Sequence, residues 1–200
     1  MDSPKGIFIL IAGANASGKT TVIRPKYVKG RVKHELDPDR LSSDIRPYIL
    51  SEKARNEYGS NRPGRFAFCC MKDWLASEHI YHEGIATESN LVSHVDFDNF
   101  RMAKDNGMQT ELYFVGVPLE IALQREQSRV DKDEQEKIPE NTIRRRHGNG
   151  IRNIKEHIAS GNIDVIKIYD NSRGKGEEQL ILHIENGKTI YLHPDQPEWM

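Results

Sequence analysis

The sequence predicts an α/β fold: a five-stranded, mainly parallel sheet covered by helices on both faces, with a β-hairpin at about 179–193. Short apolar runs alternate with longer segments of helical periodicity, which is typical of parallel sheets. Asn186-Gly187 separates two alternating apolar segments and is a strong hairpin signal. With 200 residues, the chain is long enough to bury the core of a single domain spanning 1–200.

The parallel strands are predicted from short apolar runs, and the helices from the segments between them. The strands are expected at 7–12, 31–36, 84–88, 109–115 and 163–169. The helices are expected from residue 18, at 42–58, 65–83, 95–106 and 118–129, and at 138–160. Pro25 lacks an amide hydrogen, so it should stop or kink the first helix early. The hairpin is expected to be an appendage to the sheet.

One loop carries the strongest functional signal. The segment Gly13-Ala14-Asn15-Ala16-Ser17-Gly18-Lys19-Thr20, continuing into Thr21, has the spacing of a P-loop after an apolar strand. Its glycines let the backbone approach a ligand, and the loop amides at a helix N-terminus favour an anion. Lys19 can reach the outer phosphates of ATP, and the Thr20 hydroxyl can ligate Mg²⁺. We therefore predict a P-loop NTPase- or kinase-like three-layer fold that binds ATP through residues 13–21.

Other residues separate the common uses of a P-loop. GTPases carry an Asn/Thr-Lys-x-Asp motif that recognises guanine, and this sequence lacks it. Transport and repair ATPases carry a long apolar strand ending in Asp-Glu, whereas the run that ends at Glu88 is short and has one carboxylate. A small-molecule kinase needs a phosphate cradle, a carboxylate on the acceptor side and arginines on a closing lid. The sequence has candidates for all three.

Five further short segments follow the P-loop in an order that is also found in a known family. They are Leu36-Asp37-Pro38-Asp39, Thr87-Glu88-Ser89, Val117-Pro118 followed by Arg129, Arg145-Arg146-His147, and Tyr169-Asp170-Asn171-Ser172. With the P-loop, this order resembles the zeta-toxin-like P-loop kinases over most of the chain. The resemblance implies phosphorylation of a sugar nucleotide such as UDP-N-acetylglucosamine, and an antitoxin that covers the nucleotide site. Where many relatives carry Gly-Gly-His, this chain has Asp133-Glu134-Gln135-Glu136-Lys137.

The resemblance assigns roles, and each has a plainer alternative. Asp39 is the expected general base, or else a turn former, since Asp-Pro-Asp suits turns. Glu88 is expected to orient Mg²⁺ waters or the acceptor, or else to be a charge at a helix N-terminus. Arg129 with Arg145 or Arg146, on a lid at about 129–147, should bind ATP and neutralise the transferred group. Alternatively, the run Arg144-Arg145-Arg146 is a solvated helix face, which at least one of the three must be. ATP hydrolysis coupled to motion, and a regulatory module without catalysis, remain the alternative functions.

Composition limits the other partners. The net charge of −1 gives no global field for nucleic acid or for an acidic membrane. The sequence has no apolar run of membrane-spanning length, and the run 7–12 is too short for a signal peptide. Cys69 and Cys70 are the only cysteines and fit neither a disulfide framework nor a zinc site. We expect a cytoplasmic enzyme with two reduced thiols.

Overall fold

A computed structural model describes residues 5–37, 73–132, 138–174 and 176–200. The strands are β1 Ile7–Ala12, β2 His34–Leu36, β3 Ile85–Ser89, β4 Gln109–Gly116, β5 Val165–Asp170, β6 Gln179–Glu185 and β7 Lys188–Leu192. The helices are α1 Lys19–Val28, α2 Glu78–Glu83, α3 Val95–Asp105, α4 Leu119–Asp131 and α5 Glu140–Ser160. The parts of the chain outside the described residues include Asp39, both cysteines, the helix predicted at 42–58, the first part (65–72) of the helix predicted at 65–83, and residues 133–137 of the predicted lid.

The seven strands form one sheet in the order β2-β3-β1-β4-β5-β6-β7. The first five strands in this order run parallel, as predicted, and β6 and β7 continue the sheet in antiparallel fashion. The sheet therefore has seven strands rather than the predicted five, because the hairpin joins it through the pairing of β6 with β5. β1 lies between β3 and β4, so the loop after β1 leaves the sheet where the strand order reverses. Such a switch point is where open α/β sheets bind ligands.

Helices cover both faces of the sheet, which confirms the three-layer prediction. Alternate residues of β1 enter two separate cores, and this explains its continuous apolar run. One core packs α2, α3 and α5 against the sheet and includes Phe8, Leu10, Ile80, Phe100 and Ile154. The other packs α1 against the opposite face and includes Ile9, Ile11, Val22, Ile23 and Tyr113. Within the described residues, no helix is long and apolar enough to cross a membrane.

The first helix differs from its prediction. α1 continues past Pro25 to Val28 with π-helical geometry, and the amide of Lys29 donates to the carbonyl of Arg24 at 2.9 Å. Ile23 and Val28 are fully buried on either side of Pro25. Packing against the sheet therefore holds the helix together across the missing amide.

The second strand is shorter than predicted, because residue 31 belongs to the turn before it. The Arg31 guanidinium donates to both carboxylate oxygens of Glu111, at 2.7 and 2.8 Å. This ion pair fastens the end of α1 to β4. The pairing of β2 with β3 then begins at His34.

Candidate active site

The glycines of the P-loop are required by its geometry. Gly13 and Gly18 have φ angles of +145° and +106°, a region that side chains disfavour. A Cβ atom on Gly13 would lie 2.3 Å from the carbonyl oxygen of Val115, and one on Gly18 would lie 2.3 Å from Nδ2 of Asn171. The loop is therefore wedged between the end of β4 and the segment that follows β5.

Lys19 lies folded back over the loop that precedes it. Its Nζ donates to the carbonyl oxygens of Gly13 at 2.8 Å and Ala14 at 3.0 Å, and to Oδ1 of Asn90 at 3.4 Å. Nearby, the Oγ of Ser17 is buried and has no hydrogen-bond partner among the described residues. A positive charge and an unsatisfied hydroxyl at one loop suit a ligand with many acceptor oxygens, such as a polyphosphate.

Thr20 and Glu88 bring two oxygen ligands together. The Thr20 hydroxyl donates to Oε2 of Glu88 at 2.9 Å, and Oε1 of Glu88 lies 3.3 Å from Nε of Arg24. Glu88 is inside β3, so it does not sit at a helix N-terminus, the alternative raised by the sequence. Hydroxyl and carboxylate oxygens are the ligands that Mg²⁺ prefers, and this pair fits that ion. Among the described residues there is no cluster of three His, Cys, Asp or Glu that could hold a metal alone.

The structure distinguishes the three consecutive arginines of α5. Nη1 of Arg146 donates to Oδ1 of Asn15 in the P-loop at 3.1 Å, whereas Arg144 pairs with Glu140 at 2.6 Å on its own helix. Arg145 is exposed. Consecutive helical residues point about 100° apart, so only one of the three can face the loop. Arg146, rather than Arg145, takes that position.

Arg129 does not reach the P-loop in this conformation. It is 44% exposed and lies 3.9 Å from the carboxylate of Glu126, three residues earlier in α4. One turn before it, Nη2 of Arg125 donates to the carbonyl oxygen of Asn171 at 2.8 Å. Burial lowers the pKa of Arg125, and the Asp170 carboxylate opposes that shift. Arg125 therefore joins α4 to the end of β5, a position that the sequence suggested for no arginine of this helix.

Asn171 and Asn90 are two further residues of the site. Asn171 belongs to the family-like segment 169–172, for which no role was predicted, and Asn90 was not predicted at all. Nδ2 of Asn171 donates to the carbonyl oxygen of Ser17 at 2.7 Å. This hydrogen bond joins the P-loop to the segment that follows β5. Asn90 follows β3 and accepts from Lys19. Both residues come directly after parallel strands, and the carboxyl ends of such strands share one edge of the sheet. That position is the sequence signal that could have identified them.

Asp96 holds the turn that carries Asn90. The hydroxyl of Ser89 donates to Oδ2 of Asp96 at 2.9 Å and accepts from the amide of Leu91 at 2.9 Å. Burial raises the pKa of Asp96 to about 6. This buried carboxyl therefore fixes the turn between β3 and α3, next to the contact between Asn90 and Lys19.

These features define a protein with a P-loop kinase fold. Its P-loop lies at the switch point of the sheet, between β3 and β4. The family model for zeta toxin matches residues 2–176, and the chain belongs to the zeta toxin family. No curated protein sequence matches the chain.

Solved structures show the same fold. The structure of AvrRxo1-ORF1:-ORF2 with ATP superposes with a TM-score of 0.68 at 18% identity, covering 94% of this chain and 61% of that one. A structure of the PezAT chromosomal toxin–antitoxin system of Streptococcus pneumoniae gives a TM-score of 0.57 at 18% identity, covering 89% of this chain and 73% of that one. The chain thus spans about three-fifths of the AvrRxo1 chain that it matches.

Proposed function

We propose that the protein is an ATP-dependent kinase that transfers a phosphoryl group to a hydroxyl of a small molecule. The observation that carries this proposal is that Lys19 and Arg146 both contact the P-loop, while Thr20, at the end of that loop, contacts Glu88. Lys19 comes from the start of α1 and Arg146 from the distant helix α5, so two positive charges approach the loop from different elements. Phosphoryl transfer depends mainly on this kind of positioning and charge stabilisation.

Different residues of the site are proposed to bind different parts of ATP and its Mg²⁺ ion. The loop amides and Lys19 hold the β- and γ-phosphates, and Lys19 exchanges its contacts with the carbonyls of Gly13 and Ala14 for phosphate oxygens. Thr20 and Glu88 would hold Mg²⁺, which would neutralise charge at the phosphates. Arg146 approaches the transferred group from α5. Arg129 is a second lid arginine, which reaches the phosphates if α4 moves on closure.

The transfer step needs a proton acceptor on the acceptor side. The acceptor oxygen forms a bond to the γ-phosphorus, the bond from that phosphorus to the β–γ bridging oxygen breaks, and ADP leaves. The hydroxyl proton passes to Asp39, the base that the family resemblance implies. Asp39 lies outside the described residues, but β2 runs parallel to β3 and ends at Leu36, opposite Thr87. The chain therefore leaves β2 at the edge of the sheet that carries the P-loop.

The proposals for the acceptor and the protein partner rest on the family and on a similar solved structure. Membership of the zeta toxin family supports a sugar nucleotide, with UDP-N-acetylglucosamine first among candidates. The likeness to a toxin–antitoxin system supports an antitoxin that covers the nucleotide site. ATP and sugar nucleotides are both cytoplasmic metabolites, and we propose that the enzyme acts there.

The test is a steady-state assay of ADP release with ATP, Mg²⁺ and a panel of sugar nucleotides. A kinase releases ADP in proportion to a phosphorylated acceptor, which mass spectrometry identifies. Release that is independent of any acceptor would instead indicate an ATPase. Binding of ATP without turnover across the panel would indicate a regulatory module. The Lys19→Ala variant serves as the blank for contaminating activities.

A further inference from the structure

The last residues of the chain return to the edge of the sheet that carries the P-loop. The match to the zeta toxin family ends at residue 176, so β6, β7 and the segment 193–200 lie beyond it. The amide of His193 donates to the carbonyl oxygen of Ile181 at 2.8 Å, which fastens the start of this segment to β6. Trp199 and Met200, both half-buried, then pack on the core that lies under α3 and α5.

Trp199 makes a polar contact with Asp170 and a close packing contact with Gly116. Its indole Nε1 donates to Oδ1 of Asp170 at 3.0 Å, while Ser172 donates to Oδ2 of the same carboxylate at 2.6 Å. The indole also lies against Gly116 at the end of β4, where an added Cβ atom would come within 2.1 Å of the ring. The absence of a side chain at Gly116 therefore makes room for Trp199.

The indole borders a cavity of about 240 Å³, whose lining includes Ile151, Ile154, Ile158 and Gln196. Close packing therefore does not surround Trp199 on that side. The hydrogen bond to Asp170, together with the contact with Gly116, orients the ring. A substitution that removes the indole N–H but keeps an aromatic ring should thus affect Asp170 more than it affects the core.

Asp170 connects Trp199 to the P-loop. The next residue, Asn171, donates its backbone amide to the carbonyl oxygen of Gly116 at 3.0 Å and its side-chain amide to the carbonyl oxygen of Ser17 at 2.7 Å. Arg125 donates to the carbonyl oxygen of Asn171 from the other side. The turn at 170–172 is therefore held by α4, by β4 and by Trp199, and it supports the P-loop through one asparagine side chain.

From this chain of contacts we infer that Trp199 is a positioning residue for the nucleotide site. It fixes the Asp170 carboxylate, which fixes Asn171 beneath the P-loop and sets the affinity for ATP. The segment 193–200 thus belongs to the functional site although it lies outside the family match. This inference rests on the proposed function in one respect only, namely that the P-loop binds ATP.

The test compares Trp199→Phe with Met200→Ala, and measures ATP binding by calorimetry without an acceptor. Phenylalanine keeps the ring and loses the N–H, whereas Met200→Ala weakens the packing of the same segment without touching Asp170. We expect Trp199→Phe to weaken ATP binding roughly five- to tenfold, as for the loss of one hydrogen bond. We expect Met200→Ala to bind ATP like the wild type, even where its melting temperature falls. Gly116→Ala, which displaces the indole while keeping the tryptophan, should reproduce the effect of Trp199→Phe.

A second measurement reads the indole directly. The chain has two tryptophans, so in a Trp74→Phe background the fluorescence comes from Trp199 alone. ATP should change its emission, with a midpoint equal to the calorimetric Kd. Equal ATP affinity in the wild type and Trp199→Phe, with emission that ATP leaves unchanged, would overturn the inference and leave the kinase proposal intact. Failure of the wild type to bind ATP would overturn both.

Discussion

Lys19 is the residue whose replacement distinguishes a nucleotide site from a ligand-free turn. Its Nζ contacts loop carbonyls and Asn90 rather than the apolar core. Lys19→Ala should therefore abolish turnover and weaken ATP binding, while the circular dichroism spectrum stays that of the wild type. Lys29→Ala, an exposed lysine beyond the end of α1, is the matched control and should behave normally. Near wild-type turnover in Lys19→Ala would refute the proposed function.

Arg146 and Arg145 form a matched pair on one helix. The Arg146 side chain reaches Asn15, whereas Arg145 is exposed. If Arg146 stabilises the transferred phosphoryl group, Arg146→Ala should lower kcat by about 10²–10³-fold, the usual cost of losing one such donor. Arg145→Ala should have a much smaller effect. Single-turnover phosphoryl transfer by both variants decides between them, and equal losses would mean that the arginines exchange places when the site closes.

Asp39 is best tested by separating chemistry from binding. Asp39→Asn keeps the size of the side chain and removes the proton acceptor, so phosphoryl transfer should fall by about 10²–10⁴-fold. The Kd for ATP should change little, because Asp39 is expected on the acceptor side of the γ-phosphate. Asparagine is also a good turn former, so a purely structural Asp39 predicts retained transfer. Retained transfer would make Glu88 the next candidate base.

Among the elements, the segment at about 129–147, which joins the end of α4 to the start of α5, is proposed to close over the phosphates as a lid. The segment between Val130 and Lys137 is dense in charge and contains two lysines. ATP with Mg²⁺ should slow tryptic cleavage there if the lid closes on the nucleotide. Cleavage after Lys188, the exposed first residue of β7, is the internal control and should not respond. Identical rates at 130–137 with and without nucleotide would argue against a lid.

The elements themselves were largely predictable, because their signals are local. The apolar run of β1, the glycine spacing of the loop and the Asn186-Gly187 turn each depend on neighbouring residues, and each prediction of a strand or hairpin there is confirmed. The continuation of α1 past Pro25 was not predictable, since it depends on burial of Ile23 and Val28 against a sheet that the local sequence does not show. Tertiary packing overrides propensity in such cases.

The details of the site were less predictable for the same reason. A run of three arginines shows that one can face the loop, but the choice of Arg146 depends on how α5 is rotated against the sheet. Arg125, Asn171 and Trp199 each donate a hydrogen bond to a residue far away in the sequence. No spacing rule predicts such contacts. The ATP-binding role of the P-loop residues stays a prediction, and the residues added by the structure lie outside the motif.

At the scale of the whole molecule, two buried groups oppose each other in the pH dependence of stability. Burial raises the pKa of Asp96 to about 6, and burial lowers the pKa of His157 to about 4. His157 stacks on Phe97, with ring centroids 3.5 Å apart, directly beside Asp96 in α3. Both groups are therefore held in their neutral forms by the same core, although one is an acid and the other a base.

The signs of the two contributions follow from proton binding. Between about pH 4 and 6 the folded state binds more protons at Asp96 than the unfolded state, so this carboxyl lowers the free energy of unfolding as pH rises. Between about pH 4 and 6.5 the unfolded state binds more protons at His157, so this imidazole raises the free energy of unfolding as pH rises. In the wild type the two effects largely cancel across that range.

Removing either group should reveal the contribution of the other to the pH dependence of the free energy of unfolding. Asp96→Asn keeps an acceptor for Ser89 and removes the titration, so relative to the wild type its free energy of unfolding should rise from pH 4 to 6.5 by about 1–3 kcal/mol. His157→Gln should change in the opposite direction over the same range. Urea unfolding at pH 4, 5 and 6.5 measures the free energy of unfolding of both variants. Subtracting the wild-type values removes the contributions of the other carboxylates, which all three proteins share. Parallel curves for all three proteins would mean that neither group is neutral in the folded state at pH 5.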